Sequence, residues 1–182
     1  MKRILLPLAP GFEEIEALVV VDILRRAGAE VVTAGTIEGA VEGRSGIRVL
    51  PDKTLDEAMV EDFDMIVLPG GGPGTKNLKK DARIKGLVEG ILAKKGLIAA
   101  ICAATTVLSA IGITEGRRVT AHPGVWDKLT KEVLSRERVV VDGNIITSQG
   151  PGTALEFAFK LVELLFGPAR AEEVNKGVLA RL

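Results

Sequence analysis

Short runs of Val, Ile and Leu alternate with amphipathic stretches from one end of this chain to the other, and that order permits few folds. A strand buried on both faces needs a continuous apolar run, and helices laid over the sheet supply the cover. The pattern therefore predicts an α/β sandwich with a mostly parallel central sheet. Strands are expected at 3–8, 30–35, 64–68, 97–101 and 118–121, and helices at 12–27, 76–94, 103–111, 124–135, 153–166 and 169–181. Gly28, Gly96, Gly112 and Gly167 follow the ends of predicted helices, where a C-terminal cap belongs. VVVDGNIIT reads as a hairpin, because Asp142-Gly143 can supply positive φ angles between β-branched flanks. Segment 40–50 fits a smaller hairpin. No linker or repeat interrupts the 182 residues, so 1–182 is expected to be one domain.

Charge narrows the function classes. With 24 basic and 24 acidic side chains the net charge is zero, so no long-range field favours nucleic acid or an anionic membrane. The opening MKRILLPLAPGFEE is too short in its apolar run, and too broken by Pro7 and Pro10, for a signal peptide; it reads as the first strand. Nothing approaches the roughly 20 apolar residues of a membrane helix. One cysteine excludes an intrachain disulfide, and a cytoplasmic location is expected.

That cysteine, Cys102, sits in LIAAICAATTVLSAIG. Five apolar residues lead to it and a helical pattern starts at once, which predicts a sharp strand-to-helix turn at the sheet's carboxyl edge, where open α/β folds place their sites. Ala100 and Ala104 flank Ile101-Cys102-Ala103 in the small-x-nucleophile-x-small spacing of a nucleophile elbow. A helix N-terminus favours the thiolate, so a thiol pKa below about 8.5 is expected. The competing reading is a small core hydrophobe, the commoner fate of a free cysteine.

Glu16 favours the nucleophile. On a helical wheel it shares a face with Val20, Ile23, Leu24 and Ala27, opposite Asp22, Arg25 and Arg26, so a carboxyl group lies on the buried stripe near the end of strand 3–8. Burial raises a carboxyl pKa, and a protonated Glu16 could donate to the thiolate and pass protons. Glu13 and Glu14 read instead as acids placed by the helix dipole. In VLPGGGPGTKNL, Thr75 spoils G-x-G-x-x-G and no Gly-Lys-Ser/Thr follows, so a cofactor loop fits poorly. Gly70, Gly71 and Gly72 read better as an oxyanion hole beside Cys102. His122, the only histidine, follows the predicted strand 118–121 and belongs to the same rim, as the thiol's base or a polar wall. One histidine and one cysteine make no metal cluster, so neither metal nor cofactor is expected.

GFEEIEAL with VDILRRAG, IVLPGGGPGTKNL, KGLIAAICAATTVL, VTAHPG and TSQGPGTALEFAFKLVELL occur in this order along nearly the whole chain. Together they resemble the ThiJ/PfpI (class I glutamine amidotransferase-like) superfamily, within it the branch of the human Parkinson-disease protein deglycase and bacterial YajL. The resemblance implies a flavodoxin-like, Rossmann-like three-layer sandwich, usually a homodimer, with its thiol on a nucleophile elbow. It matches Cys102 to the reactive cysteine, Glu16 to its protonated partner, Gly71 and Ala103 to the backbone donors, and His122 to the nearby histidine. Pro151, Gly152 and Glu156 fall in a GPG-helix segment of structural role. Ala103 replaces the histidine of the Cys-His pair in the protease-like branch, which argues against peptidase activity. Gln149 stands where the human protein has arginine, and neither Arg44 nor Arg48 clearly matches the arginine near its hairpin.

The resemblance implies a cofactor-free cysteine enzyme acting on small aldehydes or glycated groups: a glutathione-independent glyoxalase, with protein deglycase ranked second, protective under carbonyl or oxidative stress. The alternative is a redox sensor or chaperone working through oxidation of Cys102, with no second cysteine in the chain to intercept the sulfenate. An amidotransferase relative lacks the downstream His-Glu pair.

Overall fold

The computed structural model describes residues 1–180. Seven strands form the main sheet: β1 (Arg3–Leu8), β2 (Glu30–Gly35), β5 (Lys53–Thr54), β6 (Met65–Leu68), β7 (Leu97–Ile101), β10 (Val139–Asp142) and β11 (Ile145–Ser148). Their order is β10-β11-β7-β6-β1-β2-β5, with every pairing parallel except β10 with β11. The pleat divides the core in two. Ile4, Leu6 and Leu8 of β1 face α1 (Glu14–Arg26), α6 (Ala154–Phe166) and α7 (Pro168–Val178), whereas Leu5 faces the side covered by α2 (Leu55–Ala58), α3 (Gly72–Lys80), α4 (Ala82–Ala93) and α5 (Thr105–Ile111). This is the expected three-layer, flavodoxin-like sandwich.

The hairpins at 40–50 and 139–148 are present: β3 (Val41–Glu42) pairs antiparallel with β4 (Arg48–Val49), as β10 does with β11. At the second turn Asp142 still pairs with Ile145, and Gly143 alone of the expected pair takes positive φ, 60°. Gly28, Gly112 and Gly167 also take positive φ after their helices. Gly96 does not. Lys95 (φ 60°) makes that turn, while Gly96 is required for close approach, since a Cβ there would lie 2.5 Å from Ile91 Cγ2.

Three further expectations need correction. The predicted helix 76–94 is two helices, broken at Asp81, whose extended backbone (φ −86°, ψ 106°) ends α3 and whose side chain accepts from Arg83 N at 3.1 Å to cap α4. The predicted helix 124–135 is a 3₁₀ segment, Pro123–Lys128, followed by β9 (Val133–Leu134). The run breaks at Leu129, whose backbone (φ −106°, ψ 71°) is not helical, and Trp126 folds back to donate from Nε1 to Ala121 O at 3.0 Å. The predicted strand 118–121 shortens to β8 (Arg118–Val119), which leaves the main sheet and pairs with β9. β5 and α2 were unforeseen, although Thr54 and Glu57 form a capping box readable as T-x-x-E. The last predicted helix ends with α7 at Val178; residue 181 of that prediction lies outside the described residues.

Candidate active site

β7, β6 and β1 are neighbours in the sheet, so the segments leaving their carboxyl ends lie side by side. From β7 comes Cys102, half-buried at φ 64°, at the start of a 3₁₀ turn that leads into α5. A non-glycine residue in this left-handed region stores about 1–3 kcal/mol of strain, which the packing around the turn must hold. Here the expected elbow is present as geometry.

From β6 comes Pro69-Gly70-Gly71. The amides of Gly71 and of Ala103, next to the cysteine, both donate toward the thiol sulfur. Gly70 does something else: its N–H donates to Glu16 Oε2 at 2.7 Å, and its carbonyl accepts from Glu13 N at 3.0 Å. Gly70 is therefore not an oxyanion donor; its amide is spent on orienting the carboxyl group. Its lack of a side chain is needed as well, because a Cβ would stand 2.6 Å from Glu16 Oε2 and 2.7 Å from Cys102 Cβ. Gly72 opens α3, and no bond from it to the sulfur accompanies those of Gly71 and Ala103.

Glu16, in the first turn of α1, is fully buried on the stripe where the wheel placed it. Oε2 takes the Gly70 amide, while Oε1 is buried with no partner in hydrogen-bonding geometry. The carboxyl and the thiol are nonetheless close enough to couple electrostatically. Burial pushes Glu16 up to about 7 against the pull of Cys102 and the Gly70 amide. Burial first, then the charge of Glu16, pushes the Cys102 thiol up to about 12, with Ala103 and Gly71 pulling down. This corrects the expected depressed thiol: desolvation and a neighbouring carboxylate outweigh two amides. Two groups so coupled titrate as a unit. The first proton leaves the pair near 7, and the push that the charge of Glu16 gives the thiol is absent whenever the remaining proton sits on Glu16, while the effect of burial remains. Oε1 is the oxygen with room for it.

His122 is exposed at the edge of this group. Its N–H donates to Cys102 O at 3.3 Å, and its Nδ1 accepts from Gly124 N at 3.1 Å, leaving Nε2 as the proton-bearing nitrogen of the neutral ring. The structure brings the histidine's backbone to the elbow, but its ring bonds within its own loop.

Glu13 and Glu14 are more than dipole partners. Both are buried, and Glu14 Oε1 accepts from Ser45 N at 2.8 Å and more weakly from Ile47 N at 3.4 Å, which pins the β3–β4 hairpin to α1. Burial raises Glu14, but its own amide and those of Ser45 and Ile47 outweigh this and hold it below its ordinary value. Glu13 Oε2 lies 3.3 Å from Arg44 Nη1, and both charges reach Glu16. Sequence left Arg44 and Arg48 equivalent; the hairpin register separates them, since Arg48 pairs outward with Glu42 at 3.1 Å. Gln149 donates to Arg136 O at 3.0 Å, and Arg138 ties together Glu156 (2.6 Å) and Gly152 O (2.7 Å). Among the described residues no group of three or more His, Cys, Asp or Glu could hold a metal ion.

A cysteine elbow at the carboxyl edge of a helix-covered parallel sheet, backed by a buried carboxyl group, defines a class of thiol-bearing α/β proteins. Within that class this chain belongs to the DJ-1/PfpI family, whose model matches residues 2–164. It is 42% identical to protein dj-1beta of Drosophila melanogaster over 98% of this chain and 97% of that protein. It is also 42% identical to the glutathione-independent glyoxalase DJR-1.2 of Caenorhabditis elegans, over 90% of this chain and 88% of that one. The crystal structure of Drosophila melanogaster DJ-1beta superimposes with TM-score 0.95 at 41% identity, covering 98% of this chain and 97% of the other. An oxidized Toxoplasma gondii DJ-1 gives 0.95 at 36%, covering 98% of each chain. These neighbours are consistent with an enzyme acting on small molecules. No described helix is long and apolar enough to cross a membrane.

Proposed function

We propose that this chain is a cysteine-dependent, cofactor-free enzyme that converts small 2-oxoaldehydes such as methylglyoxal to 2-hydroxy acids without glutathione. The observation that carries this reading is the buried Glu16 carboxyl group coupled to a half-buried thiol that faces two backbone donors. In the reactive form, the less populated of the pair's two singly protonated arrangements, the proton sits on Glu16 Oε1 and the sulfur is a thiolate. The thiolate adds to the aldehyde carbon to give a hemithioacetal, whose oxygen takes the Gly71 and Ala103 amides. Glu16, once ionised by protonating that oxygen, moves the C1 proton to C2 while the hydroxyl proton passes from the C1 oxygen to the C2 oxygen, leaving a 2-hydroxyacyl thioester. Water hydrolyses the thioester, releasing lactate and the thiol. His122 forms a polar wall of the site. A relative named a glutathione-independent glyoxalase supports the substrate class.

The test is direct measurement of lactate from methylglyoxal with purified protein. Cys102→Ala abolishes turnover, because the chain has no other thiol. Glu16→Gln lowers kcat by roughly 10²–10⁴, the usual worth of a positioned proton carrier, and His122→Ala has a smaller effect. Equal lactate from wild type and Cys102→Ala would sink the proposal.

A sensor reading is favoured by the same two amides and carboxyl group, which could hold the oxygens of a sulfinate at Cys102, and by an oxidized relative of the same fold. Intact mass after mild peroxide tests it: two added oxygens are expected in the wild type and none in Cys102→Ala. We place the protein in the cytoplasm, where a free thiol persists, as a single domain that pairs with a second copy through α1 and the β3–β4 hairpin. Ile15 (51% exposed), Ile47 (53%) and Leu50 (76%) leave apolar surface there that a partner would cover.

A further inference from the structure

His122 owes its place to a residue that the sheet does not hold. Thr120, between β8 and His122, is fully buried, yet its segment has left the main sheet and forms no ladder bonds with it. Threonine hydroxyls from two other elements hold its backbone polar groups. Its N–H donates to Thr147 Oγ1 at 2.9 Å, and its carbonyl accepts from Thr105 Oγ1 at 3.0 Å. Thr147, on β11, lies opposite Ala100 in the strand that delivers Cys102, and Thr105 is three residues past the cysteine. Both are buried. Thr120 is thus clamped between β11, the strand beside β7, and the first residue of α5 after the elbow, and two residues later His122 N reaches Cys102 O.

We propose that Thr147 and Thr105 are positioning residues that fix the His122 loop against the cysteine elbow, each hydroxyl replacing a ladder bond the loop cannot make. This rests on the proposed glyoxalase site for its effect on turnover, but not for the clamp itself. Valine at either position keeps the shape and removes the bond, stranding a buried backbone group that must move to find a partner. Serine keeps the hydroxyl. Displacement of a site wall by about 1 Å can cost up to roughly 10²-fold in rate, so a single lost strut is expected to lower kcat about 10-fold and leave KM unchanged.

The chain has one histidine and one cysteine, which makes the clamp readable without turnover. In a proton NMR spectrum of the folded protein, alkylating Cys102 with iodoacetamide is expected to shift the single histidine Hε1 resonance. In Thr147→Val that shift falls at least twofold, and in Thr147→Ser it returns. Thr105→Val and Thr105→Ser repeat the comparison and serve alone if Thr147→Val does not fold. For kcat, Thr147→Val is expected to add nothing on a His122→Ala background, as coupling through one residue requires. An unchanged resonance shift in both folded valine variants, no rescue by serine, or no response in the wild type overturns the clamp. Wild-type protein that keeps the resonance response but makes no lactate overturns the glyoxalase reading and leaves the clamp standing.

Discussion

Cys102 and Glu16 are electrostatically coupled, and the sign of each measurable effect follows from which group holds the pair's last proton. Above about 7 the pair has lost its first proton, so iodoacetamide alkylation of the wild type is expected to rise through about 7. Glu16→Gln has no such proton to lose and should show no step there; a wild-type midpoint above about 8.5, the free-thiol value, would remove the thiolate form from the mechanism. Stability carries the same signature. Glu16 is raised from an ordinary 4.5 to about 7 in the folded protein, so its contribution is complete below 4.5 and is lost as pH rises through 7. Urea unfolding between those pH values should find the wild type losing up to about 3 kcal/mol relative to Glu16→Gln, at about 1.4 kcal/mol per unit. Parallel curves would mean that the carboxyl group is solvated. The residues of this pair were legible because a carboxylate on an apolar stripe breaks the helical pattern. Their titration was not, since it depends on burial and distances across three strands.

At the scale of elements, the site is a meeting of turns, and turns were where the sequence spoke least evenly. Gly71 precedes α3 as its N-cap at φ 89°, and a Cβ there would lie 2.4 Å from Gly11 O. Gly71→Ala is therefore expected to cost about 2–4 kcal/mol in urea unfolding through backbone strain and clash, and to slow Cys102 alkylation by turning its amide away. Full stability in that variant would contradict the close approach of the two loops. Thr120 predicts the opposite sign. Its hydroxyl is buried without a partner, so Thr120→Val, nearly isosteric, should be neutral or stabilising by about 1 kcal/mol. β1, β2 and β7 were readable as strands because burial on both faces forces unbroken apolar runs. β8 and β9 are two residues each and are fixed by pairing with one another, a relation that periodicity along the chain does not encode. The Gly70 amide is a subtler case: three glycines in a row mark a place where backbone approaches something, but only the fold decides that Gly70 serves Glu16 while Gly71 serves the sulfur.

For the whole molecule, the distribution of apolar surface is what remains to be explained. Leu18 (38% exposed) on α1 and Leu155 (40%) on α6 line one cavity with Asp22, Arg26 and Val178, continuing the uncovered face that Ile15 begins. The hairpin that carries Ile47 is locked to α1 by Glu14, so these side chains form part of a rigid surface. Light scattering is expected to find two chains of 19.2 kDa together at micromolar concentration. Leu18→Glu places a charge in the centre of that face without touching the buried side of α1, and should yield a folded monomer by circular dichroism and scattering. A monomeric wild type would refute the pairing, and a dimer that survives Leu18→Glu would move the contact elsewhere. Because Glu16 and Leu18 lie on opposite faces of one helix, the monomer should keep the Cys102 alkylation step near 7. Loss of that step on dissociation would instead mean that the second copy holds α1, and with it the buried carboxyl group, in register with the thiol.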